Sequence, residues 1–489
     1  MDILEQQLKL IRADLNKKSK CEFKEIQGRY QWISEEPCQW NIVRFEPDDE
    51  NEWQQWMNDE EYMTSGKGKT LLQIKRRLFY FKGKWTDDHT LFTCPQDDYQ
   101  FARFKQCMEE LKNKNNWSWA VARFLMTGRE KISRVIEDNK KIPDFKQMSL
   151  NVIVGTPGAG KSTFCAEFVK TKAEKYKILY VGPAHTNVNS FLRKLTRSGT
   201  KDVAVLSDEA KLEKDLRMYH NSNMKSFNPQ QKNLILPDKR IKISTINKPI
   251  KSPKESGIQI IIIDEATRVS LLEVVTFIHR FNDLLCIILA GDPRQLGARI
   301  GQTDVKDVMR FTLDNGEAHI WNLFKQYRFG AGINNVLSAL FYRNQMEAVT
   351  SKPSSINWMI ISKCECDMED KIGCDREVEI AAAVFKFLKD SDKMILTPYK
   401  RQIEKFLQAK PDIKIKTIDT SQGDEYQHVI VSFGRHRGRG FITDERINVG
   451  LSRAKQSVHV VINETVLKSL PKIENAIRSA EKRGYVNYL

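Results

Sequence analysis

A glycine-rich segment constrains the fold of this chain more than any other feature. Residues 155–162 read GTPGAGKS and fit the pattern G-x-x-x-x-G-K-[ST]. They follow an apolar run at 152–154 and precede a segment in which Phe164 and Phe168 have helical spacing. A loop between a strand and a helix points backbone N–H groups and the positive end of the helix dipole at phosphate. The segment therefore predicts an α/β sheet with a triphosphate site at one edge.

The residues of this loop have separate expected roles. Lys161 should reach the β- and γ-phosphates, and Ser162 should bind Mg²⁺. The predicted nucleotide-binding residues of the loop are Gly155, Thr156, Pro157, Gly158, Ala159, Gly160, Lys161, Ser162 and Thr163.

An acidic pair follows a later apolar run. Asp264 and Glu265 come directly after the isoleucines at 260–263, at the carboxyl end of a predicted strand, where ligands bind in parallel α/β sheets. We expect Asp264 to hold Mg²⁺ together with Ser162, and Glu265 to be the general base for the water that attacks the γ-phosphate. Alone, such a pair is usually ordinary capping. Together with the upstream loop, it predicts hydrolysis of ATP.

Short apolar runs alternate with helical segments along the rest of the chain. A first set lies at 151–154, 178–181, 258–263 and 286–289, and a second at 358–361, 394–396, 413–418, 429–432 and 458–462. Apolar strands between helices predict parallel sheets that are covered on both faces. The predicted fold is α/β, with two tandem parallel-sheet domains at 146–308 and 309–489. An N-terminal accessory α+β domain is predicted at 1–145.

The first 145 residues differ in composition from the rest. They hold seven of the nine tryptophans, and the basic run at 75–77 lies beside the aromatic residues at 79–81. Segment 70–94 predicts a small β-rich module, and 101–138 has helical spacing. Aromatic side chains among lysines could stack on nucleic-acid bases, or they could form the core of a small domain.

Charge and cysteine content suggest a partner and a compartment. The chain has 79 basic and 63 acidic residues, a formal charge of +16, which is typical of polyanion binding or of a solvated lysine-rich surface. It lacks an apolar run long enough to span a bilayer, and its first residues do not resemble a signal peptide. Nine cysteines then suggest reduced thiols in the cytoplasm or nucleus. Cys364, Cys366 and Cys374 lack an evident fourth zinc ligand.

Five further motifs follow in a fixed order. They are GDPRQL at 291–296, QYR at 326–328, TPYKRQ at 397–402, TIDTSQGDE at 417–425 and RINVGLSRAK at 446–455. With the loop and the acidic pair, they resemble superfamily 1 helicases, especially the branch with the nonsense-mediated decay helicase and the helicases of positive-strand RNA viruses. The resemblance covers about residues 150–465. It implies two RecA-like domains that share one nucleotide site.

The resemblance implies which residues meet the γ-phosphate. Gln295 would sense it, Arg328 would touch it, and Arg453 would be the arginine finger supplied by the second domain. The implied catalytic set is Lys161, Glu265, Gln295, Arg328 and Arg453.

The resemblance also implies how the rest of the nucleotide is held. Tyr327 would stack on adenine, Gly423 would allow close backbone approach, and Glu425 would bind the ribose or the nucleotide edge. Phe341 and Tyr342 match an aromatic pair of the family. The family's LNxxQ element has no good match before residue 150, so base selectivity stays open.

Contacts to nucleic acid are expected at loop tips after two strands and in the motif at 417–425. Hydroxyls and amides there suit sequence-independent contacts to phosphate and sugar. Plain helix capping is the alternative role for these side chains. The predicted residues are His185, Thr186, Asn187, Thr245 and Thr420.

Three functions share the nucleotide loop. The favoured one is an ATP-dependent helicase that moves on single-stranded nucleic acid, with RNA favoured over DNA. Its expected protein partners are replication or decay proteins. If the chain is viral, the expected compartment is the host cytoplasm. An ATP-gated clamp with little unwinding has the same catalytic residues. A small-molecule kinase is disfavoured by the motifs at 417–425 and 446–455.

Overall fold

The protein is described by a computed structural model. The described residues are 28–36, 40–47, 62–65, 69–75, 78–82, 91–94, 121–122, 124–125, 135–138, 149–206, 209–219, 239–246, 257–278, 281–300, 303–315, 318–362 and 372–489.

An antiparallel sheet precedes the nucleotide loop. Its strands are β1 (Gly28–Glu36), β2 (Trp40–Pro47), β3 (Tyr62–Ser65), β4 (Lys69–Lys75), β5 (Leu78–Lys82) and β6 (Leu91–Cys94). Within the described residues the spatial order is β1-β2-β5-β4-β3-β6, and every pairing is antiparallel. Strands β4 to β6 cover the segment where the sequence predicts short strands.

The first parallel sheet follows. Its strands are β7 (Val135–Asp138), β8 (Ser149–Gly155), β9 (Ile178–Gly182), β10 (Val203–Val205), β11 (Ile241–Thr245), β12 (Ile260–Ile263), β13 (Cys286–Gly291) and β16 (His319–Leu323). A separate hairpin of β14 (Arg299–Ile300) and β15 (Thr303–Asp304) lies between β13 and β16 in the sequence. The helices are α1 (Lys161–Lys172), α2 (His185–Arg197), α3 (Leu271–Ile278) and α4 (Val308–Asn315). The order in the described chain is β10-β11-β9-β12-β13-β8-β16-β7, all parallel.

Strand β12 shows why this sheet lies between two layers of helices. Its isoleucines are all buried and alternate between two apolar clusters. Ile261 and Ile263 join the cluster that contains Phe277 of α3. Ile260 and Ile262 join the cluster on the other face, with α1 and α2. A strand covered on both faces must be apolar at every position, which accounts for the continuous run in the sequence.

The second parallel sheet begins after β16. Its strands, with the short pair that comes first, are β17 (Lys325–Gln326), β18 (Glu347–Ala348), β19 (Ser355–Ile361), β20 (Lys393–Thr397), β21 (Ile415–Thr417), β22 (Tyr426–Ser432), β23 (Ala454–Asn463) and β24 (Val486–Tyr488). The helices are α5 (Ala331–Phe341), α6 (Asp375–Phe387), α7 (Lys400–Ala409), α8 (Asp444–Leu451), α9 (Glu464–Leu467) and α10 (Pro471–Glu481). The described order is β21-β20-β22-β23-β19-β24, all parallel, and β17 pairs only with β18.

Two parallel sheets with helices on their faces confirm the predicted α/β fold. The first sheet extends beyond residues 146–308 at both ends, because β16 pairs with β8 and β7 pairs with β16. The first sheet thus does not coincide with the predicted range 146–308, and the domain boundaries stay predictions. Among the described residues, no helix has both the length and the hydropathy needed to cross a bilayer. The side chains that the sequence analysis singled out before residue 120, and Cys364 and Cys366, lie outside the described part.

Candidate nucleotide site

The glycine-rich loop connects β8 to α1, as its motif predicts. The backbone of Gly158 is left-handed, with φ of 74°. A Cβ on Gly158 would lie 2.6 Å from the Cβ of Arg328. The backbone N–H of Tyr327 also donates to the Gly158 carbonyl over 2.9 Å. Glycine is therefore required here both by conformation and by the close approach of the QYR segment.

Lys161 lies at the first position of α1 and is buried. Its ammonium donates to the carbonyl oxygens of Gly155 at 2.9 Å and Thr156 at 3.4 Å. These two hydrogen bonds hold the Lys161 ammonium within the loop, where the sequence predicts the site of the β- and γ-phosphates. An incoming phosphate would offer the ammonium a charged acceptor, which makes a stronger hydrogen bond than a carbonyl oxygen.

Asp264 is buried directly after β12 and accepts two hydroxyl hydrogen bonds on Oδ2. Ser162 Oγ donates over 2.8 Å and the Tyr180 hydroxyl over 2.7 Å. Burial, together with the neighbouring charge of Glu265, raises the pKa of Asp264 above its ordinary value. Tyr180 gave no signal in the sequence beyond its place in an apolar strand.

The pair of Ser162 and Asp264 fits Mg²⁺. A hydroxyl and a carboxylate are hard oxygen ligands, and Mg²⁺ usually takes few ligands from the protein and the others from substrate phosphates and water. A cation there would also offset the cost of a buried carboxylate. Within the described residues, no group of three or more His, Cys, Asp or Glu side chains could hold a metal.

Glu265 has a left-handed backbone, with φ of 48°, which is uncommon for a residue other than glycine. Its N–H donates to Asp264 Oδ1 over 2.9 Å. Across the cleft, the side-chain amide of Gln422 donates to Glu265 Oε2 over 3.0 Å. Strained backbone of this kind often occurs at functional sites, because the surrounding contacts hold it there. The carboxylate of Glu265 is thus aimed at the seam between the two sheets.

Arg328 and Glu425 form an ion pair on the other side of the cleft. Arg328 Nη2 lies 2.6 Å from Glu425 Oε1, and Arg328 Nη1 donates to the Ser452 carbonyl over 2.8 Å. The Arg328 guanidinium lowers the pKa of Glu425 to about 2. The Tyr327 ring is 61% exposed, so one face is available for stacking on a base.

Arg453 is buried directly before β23. Its guanidinium donates to the carbonyls of Val449 at 3.1 Å and Asp424 at 3.3 Å, and to Ser452 Oγ at 3.2 Å. Burial, followed by the charge of Arg328, lowers the pKa of Arg453 to about 10. It remains a cation at neutral pH, and the bonds of this structure are all within its own domain.

A single cavity of about 1010 Å³ collects these side chains from both domains. The residues from the first domain include Lys161, Ser162, Asp264, Glu265 and Gln295. The residues from the second include Tyr327, Arg328, Gly423, Glu425 and Arg453. The volume exceeds the roughly 300 Å³ lower bound of ligand sites. The structure therefore brings together most of the residues that the sequence assigned to a shared nucleotide site, whereas Gly155 and Thr156 are not among the residues that line the cavity.

The residues predicted to contact nucleic acid are more dispersed. Thr186 and Asn187 line the nucleotide cavity, and His185 begins α2 beside them. Thr245 is buried at the end of β11. Thr420 is exposed and shares a 2.8 Å hydroxyl contact with Thr417. Their contacts to nucleic acid remain predictions.

Arg310 holds the loop that carries Gln295, a role that sequence reasoning missed. Its guanidinium donates to the carbonyls of Pro293 at 2.8 Å and Gln295 at 2.5 Å. Asp307 fixes the guanidinium with an ion pair of 2.8 Å. The only available signal was an Asp and an Arg three apart at a helix start, which is too common a pattern to identify a functional residue.

Known proteins and family models match the part of the chain that forms the cavity. Two family models, both described as an AAA domain, match residues 145–339 and 306–465. The probable helicase MAGATAMA 3 of Arabidopsis thaliana is 29% identical over 272 residues, which are 47% of this chain and 33% of that protein. The DNA-binding protein SMUBP-2 of Rattus norvegicus is 23% identical over 448 residues, covering 70% of this chain and 44% of that one.

A viral relative and a solved structure are also similar. Replicase polyprotein 1ab of Alphamesonivirus 1 is 24% identical over 369 residues, covering 66% of this chain and 7% of the polyprotein. A structure of the PRRSV helicase has 14% identity and a TM-score of 0.44, covering 90% of this chain and 68% of that chain. The chain thus spans less than half the length of these curated relatives.

The matched regions run through both parallel sheets and contain every motif between 155 and 455. The two AAA-domain matches and the helicase relatives support a superfamily 1 helicase, related to the branch that contains the nonsense-mediated decay helicase and the helicases of positive-strand RNA viruses.

Proposed function

We propose that this chain hydrolyses ATP between its two parallel sheets and uses the cycle to move on single-stranded nucleic acid and to unwind duplex. The observation that carries this proposal is the composition of the cavity. Lys161 and Glu265 line it from one domain, and Arg328 and Arg453 line it from the other. A triphosphate bound there would join the domains, so loss of its γ-phosphate would let them separate.

Each side chain has a distinct part in the hydrolysis. Lys161 and the loop N–H groups hold the β- and γ-phosphates, and Glu265 orients and deprotonates the attacking water. Mg²⁺ bound at Ser162 and Asp264 would neutralise phosphate charge. Arg453 would turn from its present carbonyl partners toward the negative charge that grows on the transferring group.

Nucleic acid would be the track for this motor. The formal charge of +16 favours a polyanion, since binding releases counterions from phosphates. We favour RNA over DNA because of the branch that the motifs resemble, with replication or decay factors as protein partners in the cytoplasm or nucleus. We take ATP as the nucleotide because of the family that the motifs resemble, and the exposed ring of Tyr327 suits stacking on its adenine.

The test compares ATP hydrolysis with single-stranded RNA, with single-stranded DNA and without polymer. We expect both polymers to stimulate ATP hydrolysis, RNA more strongly than DNA. The Lys161→Ala variant should lose turnover, and it controls for contaminating ATPases. Hydrolysis that no polymer changes would contradict the motor.

A forked-duplex assay then separates two kinds of ATPase. The helicase displaces a labelled strand only when ATP is present. Polymer-stimulated hydrolysis without displaced strand would assign the chain to the clamp class instead.

A further inference from the structure

A basic loop lies at the carboxyl edge of the second parallel sheet. Residues 434–440 read GRHRGRG and connect β22 to the segment that leads into α8. This loop, called the basic loop below, has three arginines and a histidine but no acidic residue. No part of the nucleotide site uses it.

Arg435 and Arg439 shape the basic loop. Arg435 Nε donates to the Arg437 carbonyl over 2.8 Å, and its Nη1 lies 3.5 Å from the Tyr399 hydroxyl. Arg439 Nε donates to the Ile442 carbonyl over 2.8 Å, and its Nη2 pairs with Asp444 at 2.5 Å. Both guanidinium groups are therefore occupied by the fold.

The backbone of the basic loop is also constrained. Gly440 is left-handed, with φ of 51°. A Cβ on Gly440 would lie 2.5 Å from the guanidinium of Arg435 and 2.7 Å from the Tyr399 hydroxyl. The loop therefore has a set shape before any ligand binds, which lowers the entropic cost of binding.

Arg437 is the remaining arginine and is exposed to solvent. Its guanidinium makes no hydrogen bond or ion pair with any side chain or backbone group in the described part of the molecule. Lys400, at the start of α7 next to Tyr399, is exposed in the same way. Among the described residues, the Arg437 guanidinium thus has no acidic partner to neutralise its charge.

The basic loop lies next to the segment predicted to bind nucleic acid. The Phe441 N–H, directly after the loop, donates to the Tyr399 hydroxyl over 2.9 Å. The Arg446 guanidinium lies 3.4 Å from the centre of the Phe441 ring and pairs with Asp419 at 2.8 Å. Asp419 adjoins Thr420, one of the predicted contacts. The basic loop is thus connected to Thr420 through the contacts of Phe441, Arg446 and Asp419.

We propose that the basic loop binds the phosphodiester backbone of single-stranded nucleic acid, with the Arg437 guanidinium as its main contact. The proposal deepens the proposed function, on which it rests. A planar guanidinium can donate two parallel hydrogen bonds to one phosphate. Such a contact positions the strand without reading its sequence, as a translocating enzyme requires.

The test uses Arg437→Ala in the full chain. Binding of fluorescent single-stranded RNA and DNA of mixed sequence would be measured by anisotropy at several salt concentrations. Loss of one phosphate contact should weaken binding by about 10-fold at low salt and reduce the slope of log K against log salt by about 0.7. Arg437→Lys should keep the slope but bind more weakly, because it lacks the fork.

Arg483→Ala is the matched control. Arg483 is also an exposed arginine, but it precedes β24 at the opposite edge of the sheet. The affinity of Arg483→Ala for both strands, and the slope of log K against log salt, should equal those of the wild type. Unchanged affinity and slope in Arg437→Ala would overturn the assignment. Failure of the wild type to bind any strand would instead refute the proposed function.

Discussion

The side-chain amide of Gln422 donates a hydrogen bond to the carboxylate of Glu265 over 3.0 Å, and the two residues adjoin strands of different parallel sheets. Glu265 follows β12 and Gln422 precedes β22. The expected general base is therefore oriented by the domain that also supplies Arg328 and Arg453. Chemistry at Glu265 then depends on how the two sheets lie relative to each other, which is what a motor requires.

Removal of the Gln422 amide should slow catalysis more than it weakens binding. In Gln422→Leu the Glu265 carboxylate loses its only described partner across the cleft, and a small misplacement of a catalytic group can cost about 100-fold in rate. We expect kcat for ATP to fall by about 10- to 100-fold with little change in KM. Steady-state hydrolysis measures both, and an unchanged kcat would show that the bond has no role in the reaction.

Arg453→Ala should abolish turnover while sparing ATP binding. An arginine finger meets charge that develops only in the transition state, and its loss typically costs about 10³-fold or more in kcat. Binding of a fluorescent ATP analogue and hydrolysis would be measured on the same preparation. Arg453→Lys keeps the charge without the planar fork and should be intermediate. Retained hydrolysis in the alanine variant would remove the finger assignment.

A buried hydrogen-bond network joins the two domains. The Tyr342 hydroxyl donates to Asp292 Oδ2 over 2.6 Å and accepts from Asn448 Nδ2 over 2.6 Å. Asn448 Nδ2 also lies 2.9 Å from the Arg294 carbonyl. Asp292 adjoins the loop that carries Gln295, and Asn448 lies on α8, which leads to Arg453.

Tyr342→Phe should uncouple this network. The buried Asp292 carboxylate loses a donor, which costs about 1–3 kcal/mol of stability. We expect a lower unfolding temperature and weaker stimulation of ATP hydrolysis by nucleic acid, with ATP affinity retained. Tyr485→Phe, at a partly exposed tyrosine, is the control and should change neither quantity. Equal stimulation in Tyr342→Phe and the wild type would show that the network is merely structural.

Glu377 makes the stability of the second domain depend on pH. It is buried, and burial raises its pKa from 4.5 to about 7, although Gly434 N–H and Ser432 Oγ donate to it at 2.7 and 2.8 Å. Because the folded pKa is raised, the stabilisation is fully present below pH 4.5 and is lost as pH rises through about 7. Glu377→Gln should flatten the fall in unfolding temperature between about pH 5 and pH 8. The same slope in both proteins would contradict this assignment.

The sequence identified functional residues best where the function needs several residues at a fixed spacing along the chain. The loop at 155–162 and the motifs around Gln295, Arg328 and Arg453 could be recognised because each is a short run that one local structure presents. Side chains that act through distant contacts could not be recognised in this way. Tyr180 reaches Asp264 across neighbouring strands, and Arg310 reaches Gln295 from a helix that no motif includes.

The sheet boundaries were hidden for a related reason. Strand β7 lies before the nucleotide loop in the sequence and β16 lies after the first set of motifs, but β7 pairs with β16, and β16 pairs with β8. Strand order in a parallel sheet depends on long crossovers, which local patterns do not reveal. The sequence predicted two parallel sheets, but not which distant strands complete each one.

The central claim is that one triphosphate is held by both sheets. The most direct test is a crystal structure of the chain with ADP, aluminium fluoride and Mg²⁺, which together mimic the transferring phosphoryl group. We predict one nucleotide between the domains, with Lys161 and Arg453 both bonded to the mimic and the Arg453 bonds to Val449 and Asp424 broken. A nucleotide held by the first domain alone, with Arg453 still bonded to those carbonyls, would contradict the account.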